Sequence, residues 1–512
     1  MPARFKPCDE ELVFEKTPPS HFEVRPGFAA KIRPALALLA GVSLTACTSG
    51  PDYVPPAAPA PAQFKESKGW KIAKPIDTLD RGAWWSVYKD PRLSSLMSQV
   101  EISNQTVTAA AAAYEQARAL IREAQAGYFP TVTNSYNITG THEGGAVTGT
   151  GTSTTRVTFN PVANATWEID VWGRVRRTVE SDAAAAQVSA ADLQNAKLSA
   201  QATLASAYFN MRAAESLKTL LDKTVVEYKK TLEIVRNQYA AGTVSQADVV
   251  TAETQVLNTQ AASIATDVTR ALNEHAIAVL IGKPPADLTL ARGALAYTPP
   301  HIPVTVPSAL LERRPDIAAA ERTLQEENAL IGVAVANFYP TVNLTGMFGF
   351  AGATPLPITA ANEAWTLVGS VTQTVFDGGL RSAQLAAAKA AYEQNVATYR
   401  QTVLTSFEQV EDALASIRIL TQELRKWEEA IKQARLAVEV YLNQYRAGTV
   451  SFTTVVVAEA TLLADEESGL AVRQSLFIAS VSLIEALGGG WDTSLLPSLD
   501  GLSTVPTLTP PL

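Results

Sequence analysis

The side chains that most often carry out chemistry are sparse in this sequence and badly spaced for it. Two cysteines, Cys8 and Cys47, lie near the N-terminus, so the several hundred residues beyond them hold neither a disulfide nor a cysteine-based metal centre. Four histidines, His21, His142, His275 and His301, lack the i, i+4 or shorter spacings by which imidazoles share a metal ion. No set of nucleophile, base and orienting group is legible, nor a glycine loop that would cradle phosphate. The sequence therefore reads as that of a protein with no reaction to catalyse and no cofactor to bind. A formal charge of −8 and an isoelectric point near 5.3 offer nucleic acid no basic surface.

Only Cys47 has a chemical context. Lys31 and Arg33 precede an apolar run, 35–44, that is too short to span a bilayer as a helix and suits the core of a signal peptide. The run closes on Leu44-Thr45-Ala46-Cys47, which resembles the bacterial lipobox, where small residues precede a cysteine that becomes a lipidated mature N-terminus. On that reading residues 1–46 are removed and a covalent lipid on Cys47 anchors the chain, each buried methylene contributing about 0.8 kcal/mol. An ordinary buried cysteine is the alternative. Thr48, not an aspartate, follows, which by resemblance to lipoproteins favours sorting to the outer membrane.

The elements beyond Cys47 are organised by an internal repeat. Asn237-Gln238-Tyr239-Ala240-Ala241-Gly242-Thr243-Val244-Ser245 recurs from Asn443 to Ser451 with one change, at an offset of 206 residues. The same offset carries Gly173 onto Gly379 and Ile281-Gly282 onto Leu487-Gly488. Arg174–Ala241 and Leu380–Ala447 contain neither glycine nor proline, the composition of single helices of about 100 Å. A second helix-permissive stretch follows Gly242 and Gly448, which predicts two antiparallel hairpins. Leu217, Leu221, Val225, Tyr228, Leu232, Val235 and Tyr239 alternate in steps of four and three, a coiled-coil seam, and Trp427, Ile431, Ala434, Val438, Tyr441 and Tyr445 keep that phase. A long coiled coil alone would account for this pattern.

Before each long helix the period changes to two. Val157, Phe159, Ala163, Ala165, Trp167, Ile169 and Val171 alternate with polar residues, as do Val342, Leu344, Phe348 and Phe350. Such strands suit a barrel wall between lipid and water, although a soluble β-sandwich face alternates in the same way. The Gly, Thr and Ser of Thr139–Thr155 read as a surface loop, and Ala351–Ala361 stands in the same place in the second repeat. Two strands per repeat make four, too few to close a barrel. Lipid tolerates no open sheet edge, so a membrane reading requires an oligomer.

Several phrases resemble the TolC-like outer-membrane efflux family and together cover nearly the whole mature chain: Trp84-Trp85-Ser86-Val87-Tyr88-Lys89-Asp90-Pro91-Arg92-Leu93, Leu311-Glu312-Arg313-Arg314-Pro315-Asp316-Ile317, and the Tyr-x-x-Gly-Thr-Val-Ser phrases at 239 and 445. The resemblance implies a mainly helical fold with β-strands, internally duplicated. It also implies a homotrimer with a twelve-stranded barrel in outer-membrane lipid and a twelve-helix tunnel in the periplasm. The expected divisions are a signal peptide (1–46), a lipidated and equatorial segment (47–95), the first repeat (96–285), a linker (286–306), the second repeat (307–490) and a proline-rich tail (491–512). A passive conduit for small molecules, fed by an inner-membrane transporter through a periplasmic adaptor, is the implied function; a non-conducting periplasmic spacer lipoprotein is the alternative. By the same resemblance Gly242, Thr243, Val244 and Ser245, with Gly448, Thr449, Val450 and Ser451, form the periplasmic tip that meets the adaptor. Asp248, Glu253 and Glu459 become candidates for lining the pore, where rings of carboxylates would select for cations. Ser451, Phe452 and Thr453 supply no acid directly after the second turn. Arg313, Arg314 and Asp316, around a Pro315 suited to open a helix, read as structural.

Overall fold

The computed structural model describes residues 49–58, 61, 63–66, 83–144, 147, 149, 151–296, 298–300, 302 and 313–504. The expected signal segment, Cys47, Leu311, Glu312 and the tail from 505 onward lie outside them. A 3-10 turn at Trp84–Tyr88 leads into α1 (Pro91–Ser103), α2 (Gln105–Ala126), β1 (Thr131–Glu143), β2 (Thr154–Glu168), α3 (Arg174–Ala240) and α4 (Gln246–Leu280). The order then repeats as α5 (Pro315–Ala336), β3 (Thr341–Phe350), β4 (Glu363–Thr372), α6 (Leu380–Arg446) and α7 (Phe452–Ala486), closed by the short α8 (Leu499–Ser503).

Each long helix runs for 67 residues without a break, as glycine- and proline-free sequence dictates. Both start at a glycine in the left-handed region, Gly173 at φ 80° and Gly379 at φ 93°. Beside them Asp170 accepts from the backbone N–H groups of Val175 and Arg176, and Asp377 from those of Gly379 and Arg381, so carboxylates satisfy donors that a helix start leaves orphaned. Helix α4 packs along α3, α7 along α6, and α7 also against α3, which sets the four in the row α4, α3, α7, α6. Helix α7 is apolar enough to cross a membrane, with a mean hydropathy of 1.3, but 56% of that window is buried against its neighbours. Its apolarity is that of a core helix.

The expected seam on α3 is buried along its middle, at Leu221, Val225, Tyr228, Leu232 and Val235, whereas Leu217 is half-buried and Tyr239, next to the turn, is exposed. On α6 only Tyr445 of the matching set is buried, because α6 stands at the end of the row with one flank uncovered. Midway along, a large core gathers Trp84, Trp85, Leu93 and Met97 from the N-terminal segment, Leu295 and Ile302 from the connection between repeats, and Phe209, Phe407 and Phe477 from the long helices.

The sheet has the order β1-β2-β3-β4, antiparallel throughout. Strand β1 extends through Glu143 and β2 begins at Thr154, so part of the segment expected to be loop is ladder. Its Gly and Thr content suggested a turn; the pairing of Thr139 with Thr158 and Thr141 with Arg156 shows a strand with one polar face. Strand β2 ends at Glu168, and Ile169 and Val171 belong to the turn into α3.

Candidate functional site

Register alone places nearly every large apolar strand residue on one face of the sheet. Leu344 stands opposite Trp167, Phe348 opposite both Ala163 and Trp365, Val342 opposite Val371, and Ile138 opposite Phe159. The opposite face carries Thr, Asn and Ser from Thr133, Asn137, Asn160, Asn164, Asn343, Thr366 and Ser370. Much of the apolar face is open among the described residues, Trp365 being 71% exposed, Leu367 66% and Val132 69%, while at its rim the Tyr136 hydroxyl donates to the carbonyl of Pro355. Trp365, Leu367 and Val371 were not among the residues singled out from the sequence, though period two within Glu363–Thr372 would have found them. Such a face belongs against lipid, with the polar side toward water. Among the described residues the outer edges of β1 and β4 have no strand partner.

At the far end of the hairpins the two turns are copies of one another. Gly242 (φ 71°) and Gly448 (φ 78°) take the left-handed conformation, and Thr243 and Thr449 send both backbone N–H and hydroxyl back to the carbonyls of Gln238 and Gln444. Thr243, Ser245, Thr449 and Ser451 are exposed, whereas Val244 and Val450 rest on one shared apolar cluster built around Tyr228, Val235, Tyr445 and Phe452. The fold thus brings the two predicted tips side by side.

The three candidate carboxylates part company. Asp248 closes a capping box with Ser245, and Glu253 pairs with Arg236 on its own hairpin. Glu459 lines nothing: it is 6% exposed between α3 and α7, where Thr231 donates to it at 2.9 Å, Gln255 at 3.3 Å, and its backbone carbonyl accepts from Tyr228. The sequence placed it about two turns into the helix after the hairpin tip but could not show which way that face of the helix points. Burial pushes its carboxyl up to about 6, against the hydrogen bonds of Thr231 and Gln255. Since the folded value lies above the unfolded one, the neutral form favours folding below about pH 4.5, and that gain is lost as pH rises through about 6. Glu459→Gln is therefore expected to be more stable than wild type at pH 7.5, by about 2 kcal/mol, and to flatten the decline between pH 5 and 7. Thermal unfolding across that range checks it, and a variant less stable at pH 7.5 refutes it.

Sequence reasoning missed a buried charge cluster. Arg212 and Arg270 flank Glu215 at 2.6 and 2.8 Å, and Arg270 also meets Glu274 at 2.8 Å. Glu215 accepts from the backbone of Gly293, Glu274 from that of Leu290, and Arg212 donates to the carbonyl of Ala291, so the cluster fastens the connection between repeats to the first hairpin. The i, i+3 and i, i+4 spacings were visible; the backbone partner was not. Arg314, as expected, is structural: it holds Asp316 in two hydrogen bonds and donates to the carbonyl of Ala486. Cys47 lies outside the described residues, but Ser49 is held at the junction of sheet and helix, bonded to the carbonyl of Trp172 and accepting from Arg177.

The outer membrane efflux protein family matches residues 96–283 and 306–489. Curated relatives include the cation efflux system protein CusC of Escherichia coli, 26% identical over 88% of this chain and 97% of its own length. The toluene efflux pump outer membrane protein TtgC of Pseudomonas putida is 27% identical over 88% and 93%, and the probable outer membrane lipoprotein SilC of Salmonella typhimurium 26% over 88% and 96%. Among solved structures the outer-membrane channel OprN superposes with a TM-score of 0.81 at 29% identity, covering 87% of this chain and all of that one. The open state of the Neisseria gonorrhoeae MtrE outer membrane channel gives 0.77 at 26%, over 87% and 99%. The chain belongs to the outer membrane efflux protein family and serves in the outer membrane as the channel component of an efflux system.

Proposed function

We propose that three copies close their sheets into one twelve-stranded barrel and their hairpins into a tunnel, forming a passive duct for small molecules. One observation carries this reading: a largely exposed apolar face on a sheet whose two edges, β1 and β4, are unpaired among the described residues. Backbone N–H and C=O groups left open in lipid each cost several kcal/mol, so edge must meet edge. Energy comes from an inner-membrane transporter, which a periplasmic adaptor connects to the paired turns at Gly242–Ser245 and Gly448–Ser451. A lipid on Cys47 adds an anchor beside the barrel. Relatives named for cations and for toluene match this chain about equally, which supports a wall that conducts and a pump that selects. Asp248 and Glu253, repeated around the axis, contribute negative charge near the tip, moderated for Glu253 by its pairing with Arg236.

The test is electrical. The purified full chain, at three chain masses by native mass spectrometry in detergent, is expected to give discrete single-channel currents in planar bilayers. Trimers that pass no current would leave the spacer reading standing in place of the duct.

A further inference from the structure

We infer that Glu459 is a proton-operated latch on the seam between α3 and α7: with its carboxyl neutral the two hairpins stay shut against each other near the turns, and with it ionised they loosen. The latch lies within one chain, and only its consequence for flow rests on the duct proposed above.

Three helices meet on this side chain. Thr231 of α3 donates to one carboxyl oxygen, Gln255 of α4 to the other, and the hydroxyl of Tyr228 to the backbone carbonyl of the same residue. Tyr228 and Thr231 are themselves buried, and Leu232, Val235, Phe452 and Val455 pack between this point and the turns. Among the described residues no cation pairs with the carboxyl: Lys230 is held by Glu227, and Arg435 of α6 by Glu466. The ionisable groups that act on Glu459 and on Tyr228 are acidic. Glu227 faces the carboxyl from α3, Glu466 and Glu467 follow about two turns along α7, and α4 presents the neutral Gln255.

The first repeat treats the same position otherwise. Glu253, the counterpart 206 residues earlier, is half-exposed and paired to Arg236 on its own hairpin, whereas the residue matching Arg236 in the second repeat is Leu442. The buried copy of the carboxylate is thus the one without a counter-charge.

Water has a route to it. A groove of about 470 Å³ runs between α4 and α7, with Tyr228, Gln255, Asn258, Leu463 and Glu467 in its wall, so a small parting of the seam hydrates Glu459. Hydration returns the carboxyl from about 6, where burial holds it against the bonds of Thr231 and Gln255, toward its ordinary value of 4.5. Ionisation therefore favours the parted seam. The closed form keeps its full advantage below about pH 4.5 and loses it as pH rises through about 6, a change in the open-to-closed ratio of at most about 30-fold. At neutral pH the tip is free to widen, and in acid it is held narrow.

Hydrogen exchange of the full chain in detergent, read by mass spectrometry and divided by the intrinsic chemical rate at each pH, measures the parting. Peptides spanning 228–235 and 455–463 are expected to exchange about eightfold faster at pH 7.5 than at pH 5, and the Glu459→Gln protein, neutral at both, to stay within about twofold. Thr231→Val removes a bond that favours the charged form, so the pH at which exchange rises is expected to move upward. A wild type without the rise, an equal rise in Glu459→Gln, or an unmoved transition in Thr231→Val overturns the latch. In planar bilayers the wild-type open probability is expected to fall from pH 7.5 to pH 5, and that of Glu459→Gln to stay low at both. Exchange that follows pH in trimers that pass no current keeps the latch and removes the duct.

Discussion

Leu367→Arg is expected to abolish both the trimer and its conductance. Leu367 lies near the centre of β4, on the face that carries Trp365, Val371, Leu344 and Phe348, and is 66% exposed among the described residues. A charged side chain on the lipid face near the bilayer midplane costs roughly 2–4 kcal/mol, and the assembly incurs that cost three times. Thr366→Arg, one residue along and on the polar face, is expected to keep the trimer and alter only conductance and ion preference. Detergent-resistant trimer on gels and single-channel recording separate the two. Equal loss in both variants would remove the two-faced reading of the sheet.

A second large effect is expected where the polypeptide passes closest to itself. Gly488, just beyond α7, sits at φ 88°, and a Cβ there would stand 2.8 Å from the carbonyl carbon of Arg313 and nearer still to its oxygen. Gly488→Val combines left-handed strain with a clash against backbone that cannot rotate away, on the order of 3 kcal/mol or more. The matching position Gly282 meets the carbonyl of Ser103 in the same manner, so both repeats use a glycine to admit a crossing strand of chain. Gly448 has the same handedness but open space around it, so Gly448→Val should cost only about 1–2 kcal/mol. The expected results are little folded protein from Gly488→Val, and from Gly448→Val a trimer that assembles but no longer supports efflux because its tip is distorted. Unchanged drug tolerance with Gly448→Val would count against that tip as the adaptor's contact.

The long helices, the turns and the strand faces were legible because each follows from local pattern: absence of glycine and proline, a left-handed glycine, a period of two. The position of Glu459 was not, because which flank of α7 meets α3 depends on how two hairpins separated by about a hundred residues come together. The same reason hid the cluster of Arg212, Glu215, Arg270 and Glu274, whose charges are satisfied by backbone at 290–293. Thr139–Glu143 was misread for a different reason: the glycines at 140, 144 and 145 drew the loop back over a stretch whose threonines, β-branched, favour a strand and stand on its polar face.

The seam between α3 and α7 also governs the order in which the chain folds. Each hairpin joins neighbours in sequence, whereas the bond of Thr231 to Glu459 closes a separation of 228 residues. A hairpin formed first from neighbouring residues therefore leaves its seam face uncovered until the other hairpin joins it. During that interval the polypeptide is most exposed to aggregation and to pairing with the wrong hairpin of a sister chain.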